Sequence, residues 1–462
     1  MDIKDRRSLC SGASPKAIAD DIEALVRFQA KGLTLEELSR LIEEKLIPHF
    51  MDYDRPEFQS FFNAFPEPGA EFGARVALKY NQGVTNWNVS PGGAVLEELC
   101  GKALCRLFGL AAGSDATFMY SGTYANQQAI YMALHRHAED RGFDLAEKGL
   151  KGFSDPGRLA VVTSGLAHFS FRHAVRILGL GGESLIAVPV DRNGRLDAGR
   201  LKDILNDLKS TKDVFCIGLT AGTTSTGSVD PVLPVVEMNG TLKAWLHVDG
   251  AYGLAYSLVP EYRPLFAGIE LADSVVWDPH KQLGVPIPNS LLFVRRGEDF
   301  GRMAVTGEYF NRKDDIGPNP GLKSAPSTRP LSALPLVASL LHQGLTQVIE
   351  RLRAPVAAIR ATAARLAAEP DIELCHAPDT GVLCWRLAPP GFPGEKLDRL
   401  QIEIHRRINA EGRRSISVTR LGGATVLRLA AVSPRVTEAA LWETVSDIRA
   451  IAGEAQAQAL SP

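Results

Sequence analysis

Five short stretches carry residue types able to do chemistry together: Ser121, Gly122 and Thr123 in "MYSGTYANQQ", His168 in "SGLAHFSFRH", Thr224 in "LTAGTTSTGS", Asp249 in "WLHVDGAYG" and Lys281 in "SVVWDPHKQLG". A lysine that sheds its proton attacks an aldehyde to form an imine, and a desolvated, cation-rich site favours that loss. A carboxylate beside it can hold a protonated pyridine nitrogen, and the two together are the pairing that pyridoxal phosphate chemistry requires. Backbone N–H groups at a helix N-terminus, flanked by hydroxyls, make a phosphate cradle. An imidazole can stack on an aromatic ring, and the Thr224 hydroxyl can bond a ring oxygen or a substrate carboxylate. Each part also has a plainer reading: an ion pair for Asp249 and Lys281, a helix N-cap for Ser121, a structural histidine for His168.

These residues need strands that end together. Between residues 158 and 295 the runs "RLAVVT", "SLIAVPV", "VFCIGLT", "WLHVD", "SVVW" and "SLLFV" alternate with helical stretches such as "LDAGRLKDILNDLKS". The alternation predicts an α/β fold with a mainly parallel sheet covered by helices, its ligands at the carboxyl ends of the strands. Ahead of it, residues 1–80 read as a helical arm, with Thr34 and Glu37 spaced as a capping box. Residues 81–345 are expected to form the large domain. Residues 346–462 give linking helices and a small α/β domain whose strands are "GVLCWRLA", "SISVTRL" and "TVLRLAAV".

With 462 residues, 51 Lys+Arg against 53 Asp+Glu and a net charge of -2, nothing in the composition asks for nucleic acid or an anionic membrane. No apolar run is long enough to span a bilayer, and the opening "MDIKDRRSLC" has no apolar segment behind its charges, so the expected location is cytoplasmic. Six cysteines without a C-x-x-C predict reduced thiols rather than a disulfide frame or a zinc site. His135 and His137, two apart on a helical stretch, face different ways and make no metal pair, and no metal is expected. "DRNGRLD" lacks the later ligands of a calcium loop, and "GLGGES" lacks dinucleotide-fingerprint spacing.

Taken jointly, the motifs resemble the pyridoxal-phosphate-dependent group II amino acid decarboxylases, from "FFNAFP" (61–66) to "VLRLAAVSP" (426–434). The resemblance implies fold type I and a homodimer with shared active sites acting on an amino acid. It implies that Lys281 carries the imine, Asp249 holds the pyridine nitrogen, Ala251 packs beneath the ring and His168 stacks above it. Ser121, Gly122, Thr123 and His280 would hold phosphate. Ser327 and Thr328 in "APSTRPLSALPL" match a segment that approaches the partner's phosphate, and Arg428 matches an arginine suited to a substrate carboxylate. Phe65, Glu67 and Trp87 are expected to border the substrate pocket.

Three departures bear on the outcome. Relatives use a tyrosine on a mobile loop to assist protonation of the carbanion; here the corresponding segment is short and no tyrosine follows Tyr309, which is carried as the candidate. Without a proton donor the carbanion meets oxygen, giving an aldehyde in place of the amine. Asp278 stands where some relatives have Asn beside the His-Lys pair, and Ala64 where glutamate-type relatives have Gln, which weakens the case for an acidic substrate. The expected function is decarboxylation of an L-amino acid to the amine and carbon dioxide. The alternatives are the oxidative route, an aldehyde lyase on the same fold, or a cofactor-binding protein without catalysis.

Overall fold

A computed structural model describes residues 8–307 and 316–460, with side chains to residue 454. The chain divides into two compact units. The larger comprises Pro66–Arg353 with Pro378–Thr380; the smaller comprises the described residues up to Phe65, Ala354–Ala377 and those from Gly381 onward.

The larger unit is built on a seven-stranded sheet: β1 (Asp115–Met119), β2 (Leu159–Ser164), β3 (Leu185–Val188), β4 (Asp213–Thr220), β5 (Trp245–Asp249), β6 (Ser274–Trp277) and β7 (Ser290–Val294), in the order β1-β7-β6-β5-β4-β2-β3. β3, β2, β4, β5 and β6 pair in parallel. β7 runs antiparallel to both β6 and β1, so β1 shares the direction of the parallel set. Every residue of β2, β5, β6 and β7 is buried, as befits a sheet covered on both faces, and their β-branched and aromatic content suits that setting. β1, "DATFM", is not among the strands that the sequence pattern predicts.

The smaller unit holds a four-stranded antiparallel sheet, β8 (Ile372–Leu374), β9 (Val382–Leu387), β10 (Ser417–Leu421) and β11 (Ala424–Ala430), in the order β10-β11-β9-β8. β10 and β11 are joined by Gly422 and Gly423, both with positive φ (54° and 85°), the backbone that a tight two-residue hairpin demands and that glycine adopts without strain. Helices Leu397–Ala410 and Glu438–Leu460 supply apolar residues to this unit's core around Trp385.

The boundaries run differently from those expected. The N-terminal segment belongs with the C-terminal one because Gln59 donates its backbone N–H to the Ser415 carbonyl (2.8 Å) and its own carbonyl accepts from Ala430 (2.8 Å), while Leu9 donates to Gly412 (2.8 Å). Residues 66–80 belong with the larger unit. There the helix Pro68–Tyr80 meets the long helix Ala333–Leu366 through two glycines: a Cβ at Gly69 would fall 2.5 Å from His342 Cβ, and one at Gly73 would fall 2.8 Å from Pro335 Cα. The long helix itself is broken at Gly344, where φ is 68°. Among the described residues no helix is long and apolar enough to cross a membrane.

Candidate active site

The parallel strands and β1 end on one side of the larger unit's sheet, and five of those ends deliver the chemistry. A cavity of about 280 Å³ is lined by Ser121, Gly122 and Thr123 after β1, His168 after β2, Thr220 and Thr224 at and after the end of β4, Asp249 and Ala251 at and after the end of β5, and Asp278, His280 and Lys281 after β6. Nine residues expected from the sequence therefore meet in one chamber: Ser121, Gly122, Thr123, His168, Thr224, Asp249, Ala251, His280 and Lys281.

Ser121 is extended (φ -164°), and its Oγ accepts the Tyr124 N–H at 3.3 Å, capping the helix Gly122–Glu139. The capping role is real, and it sits beside N–H groups of the first turn that have no partner within a helix. Gly122 leaves little room for a side chain: a Cβ there would lie 2.8 Å from Asp278 Oδ2 and 3.2 Å from Ala251 Cβ.

Asp249 is 5% exposed, and two donors converge on its carboxylate: Asn126 Nδ2–H on Oδ2 at 2.8 Å and the Ala251 N–H on Oδ1 at 3.1 Å. His168 accepts the Ser170 N–H on Nδ1 (3.3 Å), so its proton resides on Nε2. Burial lowers the His168 pKa, against the pull of Asp249, and keeps the ring neutral at physiological pH.

Lys281 Nζ lies 3.2 Å from Asp278 Oδ2. Asp278 is 3% exposed, and its Oδ1 has no hydrogen-bond partner among the described residues. His280 directs Nδ1–H at the Asn289 carbonyl (2.6 Å), which leaves Nε2 as a lone pair in the neutral ring; donation to an anion through Nε2 calls for the doubly protonated form. Burial pushes its pKa down, opposed by Asp278.

Pyridoxal phosphate fits this donor set. The chamber holds a lysine and a carboxylate, an orphaned buried hydroxyl at Thr220 Oγ1, and a helix start at Gly122 where a side chain fits only if the Asp278 carboxylate gives way. Gly122→Ala tests the cradle: the methyl must displace the Asp278 carboxylate or Ala251, and we expect the dissociation constant of the cofactor to rise about tenfold or more, with little change in thermal stability of the cofactor-free protein. Fluorescence titration checks it; unchanged affinity would remove Gly122 from the cradle.

Of the remaining residues expected at the site, Trp87, Glu67, Ser327 and Thr328 belong to the larger unit and do not line its chamber. Trp87 packs against the backbone of Gly317, where a Cβ would fall 2.4 Å from its ring, and does not line the chamber. Ser327 and Thr328 are exposed and also lie outside it: the Ser327 carbonyl accepts from Thr85 Oγ1, and that of Thr328 accepts from Tyr120 Oη. Glu67, expected at the pocket border, caps the helix Pro68–Tyr80 by accepting the Ala70 N–H (2.9 Å) and pairs with His342 (2.6 Å). Phe65 and Arg428 belong to the smaller unit, where the Arg428 guanidinium is buried, donates to Ser417 Oγ at 2.9 Å and lies 5.0 Å from the Phe62 ring centroid. Tyr309 lies outside the described residues.

Thr220, Asn126 and the Asp278–Lys281 pairing are site features that sequence reasoning missed. Asn126 is one helical turn beyond Gly122 and therefore on its face, a spacing the sequence does contain.

Residues 20–388 match the family model described as the pyridoxal-dependent decarboxylase conserved domain. The chain is 28% identical over 368 residues to an L-2,4-diaminobutyrate decarboxylase of Acinetobacter baumannii, covering 77% of this chain and 72% of that one. It is 26% identical over 435 residues to the protein of the same name from Rhizobium meliloti, covering 93% and 84%. Among solved structures, Oryza sativa TDC with PLP and tryptamine superposes with a TM-score of 0.88 at 22% identity, covering 97% of this chain and 93% of that one.

Proposed function

The chain belongs to the pyridoxal-dependent decarboxylase family and is a PLP-dependent amino acid carboxy-lyase, and from that premise we propose that Lys281, Asp249 and His168 carry its reaction. The observation that supports these roles is the convergence of Lys281 and Asp249, from the ends of β6 and β5, on one chamber.

Pyridoxal phosphate, when bound, supplies an aldehyde carbon for covalent attachment and a ring that takes up the electron pair left by the departing carboxylate. The rest falls to the chain. Lys281 is the nucleophile that tethers the cofactor and yields it to the substrate amine. Asp249 accepts the ring nitrogen's proton in a hydrogen bond and so keeps that nitrogen positively charged. His168 would stack on one face of the ring and Ala251 would pack against the other. Ser121, Gly122 and Thr123 hold phosphate through hydroxyls and N–H groups, joined by His280 in its doubly protonated form. Thr224 offers its hydroxyl to the ring oxygen or to the substrate carboxylate. Arg428 is the proposed carboxylate ligand, with Phe65 the proposed neighbour of the substrate side chain and Tyr309 the proposed proton donor to the product carbon.

We also propose a cytoplasmic homodimer with shared active sites. The exposure of Ser327 and Thr328 outside their own chain's chamber supports a role at a partner's phosphate.

The deciding experiment incubates purified protein and pyridoxal phosphate with aromatic, acidic, basic and diamino acids, and reads amine, carbon dioxide, aldehyde and peroxide. Amine equal to carbon dioxide is expected. Aldehyde with peroxide would replace this outcome by the oxidative route, which the lack of any tyrosine after Tyr309 favours. Aldehyde without carbon dioxide would point to a lyase.

A further inference from the structure

Asp249 is backed by a buried chain of polar groups that runs from the chamber wall into the sheet. Trp245, His247, Ser274 and Asn126 are each no more than 1% exposed. Trp245 Nε1 is 2.7 Å from Ser274 Oγ, Ser274 Oγ is 2.8 Å from His247 Nδ1, His247 Nε2 is 2.8 Å from Asn126 Oδ1, and Asn126 Nδ2 is 2.8 Å from Asp249 Oδ2. Of these four, Asn126 alone also borders the chamber among the described residues.

The proton positions follow from the inventory of donors and acceptors. Asn126 Nδ2 faces two oxygens, Asp249 Oδ2 and Ser170 Oγ (2.8 Å), and spends one N–H on each. Its Oδ1 therefore faces His247 Nε2, which must carry a proton. Burial takes the His247 pKa down to about 4, against the pull of Asp249 and of the Ser274 backbone, so the ring is neutral and Nδ1 is bare. The Ser274 hydroxyl donates to Nδ1, and the indole N–H, which can only donate, completes the chain. Every bond points toward Asp249.

We propose that this relay, with Asn126 and His247 as positioning residues, fixes Asp249 as a hydrogen-bond acceptor and thereby sets the protonation of the cofactor's ring nitrogen. The proposal rests on the reading of Asp249 as that nitrogen's partner. The geometry gives it a direction: a bare Nε2 would turn the Asn126 amide, presenting an oxygen to a carboxylate that has no proton to offer it. Bonds in such a chain polarise one another, so loss of a distal member is felt at its end.

The test loads the holoenzyme with pyridoxal phosphate carrying nitrogen-15 in the ring and reads that nitrogen's chemical shift. His247→Leu and Asn126→Leu are expected to move the signal toward the unprotonated form and to lower kcat about tenfold, with KM changed less. His247→Gln, whose amide can put an N–H where Nε2 stood, is expected to restore the wild-type shift. A fully protonated signal in both leucine variants would overturn the relay. Asp249→Asn separates the two readings: if it too leaves the signal unchanged, the assignment of Asp249 fails. Should the leucine variants not fold, the imidazole nitrogen shifts of His247 in the wild-type protein decide, with a proton on Nε2 supporting the relay and one on Nδ1 overturning it.

Discussion

Replacing Lys281 by alanine is expected to lower the rate of carbon dioxide release by roughly a thousandfold or more, the scale of removing the proposed covalent nucleophile. The loss has two sources. The variant lacks the proposed tether for the cofactor, and Asp278, buried and 3.2 Å from the missing ammonium, is left with the His280 imidazole at 3.7 Å. Lys281→Arg separates them, because it retains a cation for Asp278 but not a nucleophile; its rate is expected to stay near that of the alanine variant while cofactor affinity recovers in part. Borohydride reduction and peptide mass spectrometry supply a second readout, with the cofactor's mass on the Lys281 peptide only in the wild type. Alanine activity within about tenfold of wild type would rule out Lys281 as the catalytic lysine.

Glu97→Ala is expected to destabilise the protein by about 3–5 kcal/mol, the cost of leaving a buried charge without its counterpart. Glu97 and Arg329 have side chains 4% exposed and form an ion pair within the larger unit. Arg329 also donates to the carbonyls of Pro320 and Phe118 (both 2.9 Å) and to Thr117 Oγ1 (2.8 Å), while Glu97 accepts from the Phe118 N–H at 3.2 Å. Burial raises the Glu97 pKa, against the pull of Arg329, so the ion pair stands only while both partners are present. Chemical denaturation of the cofactor-free protein measures the cost. The double variant Glu97→Met with Arg329→Met should regain much of the loss, since an apolar pair leaves no charge stranded. A single-variant cost below about 1 kcal/mol would show that the pair is solvated or replaced. Because Arg329 directly follows Thr328, the same variant is also expected to loosen the segment proposed to reach a partner's phosphate.

The strand ends are legible in the sequence because a strand buried on both faces must be written in β-branched and aromatic residues, and "LAVVT", "WLHVD" and "SVVW" are. β1 is illegible for the converse reason: "DATFM" opens with an acid and two small residues and has no such run. Domain boundaries escape because they depend on pairings hundreds of residues apart, as between Gln59 and Ser415, and on the two glycines that bring the helix Pro68–Tyr80 against its neighbour. Motif matching finds nine of the groups that line the chamber and misses others, Thr220 and Asn126 among them. It cannot find Asn126 or His247 behind Asp249, since a buried amide or imidazole is recognised by its partners rather than by its own letter.

The order of the strands has a kinetic meaning. The chamber draws on five strand ends scattered from residue 121 to residue 281, with β1 at the far side of β7 from the rest. No fragment shorter than residues 121–281 contains the whole chamber lining, and non-local pairing of this kind is slow to nucleate. Cofactor capture is accordingly a late event that rewards only the completed sheet. Its binding free energy adds to the stability of the finished fold by mass action and cannot guide the nascent chain toward it.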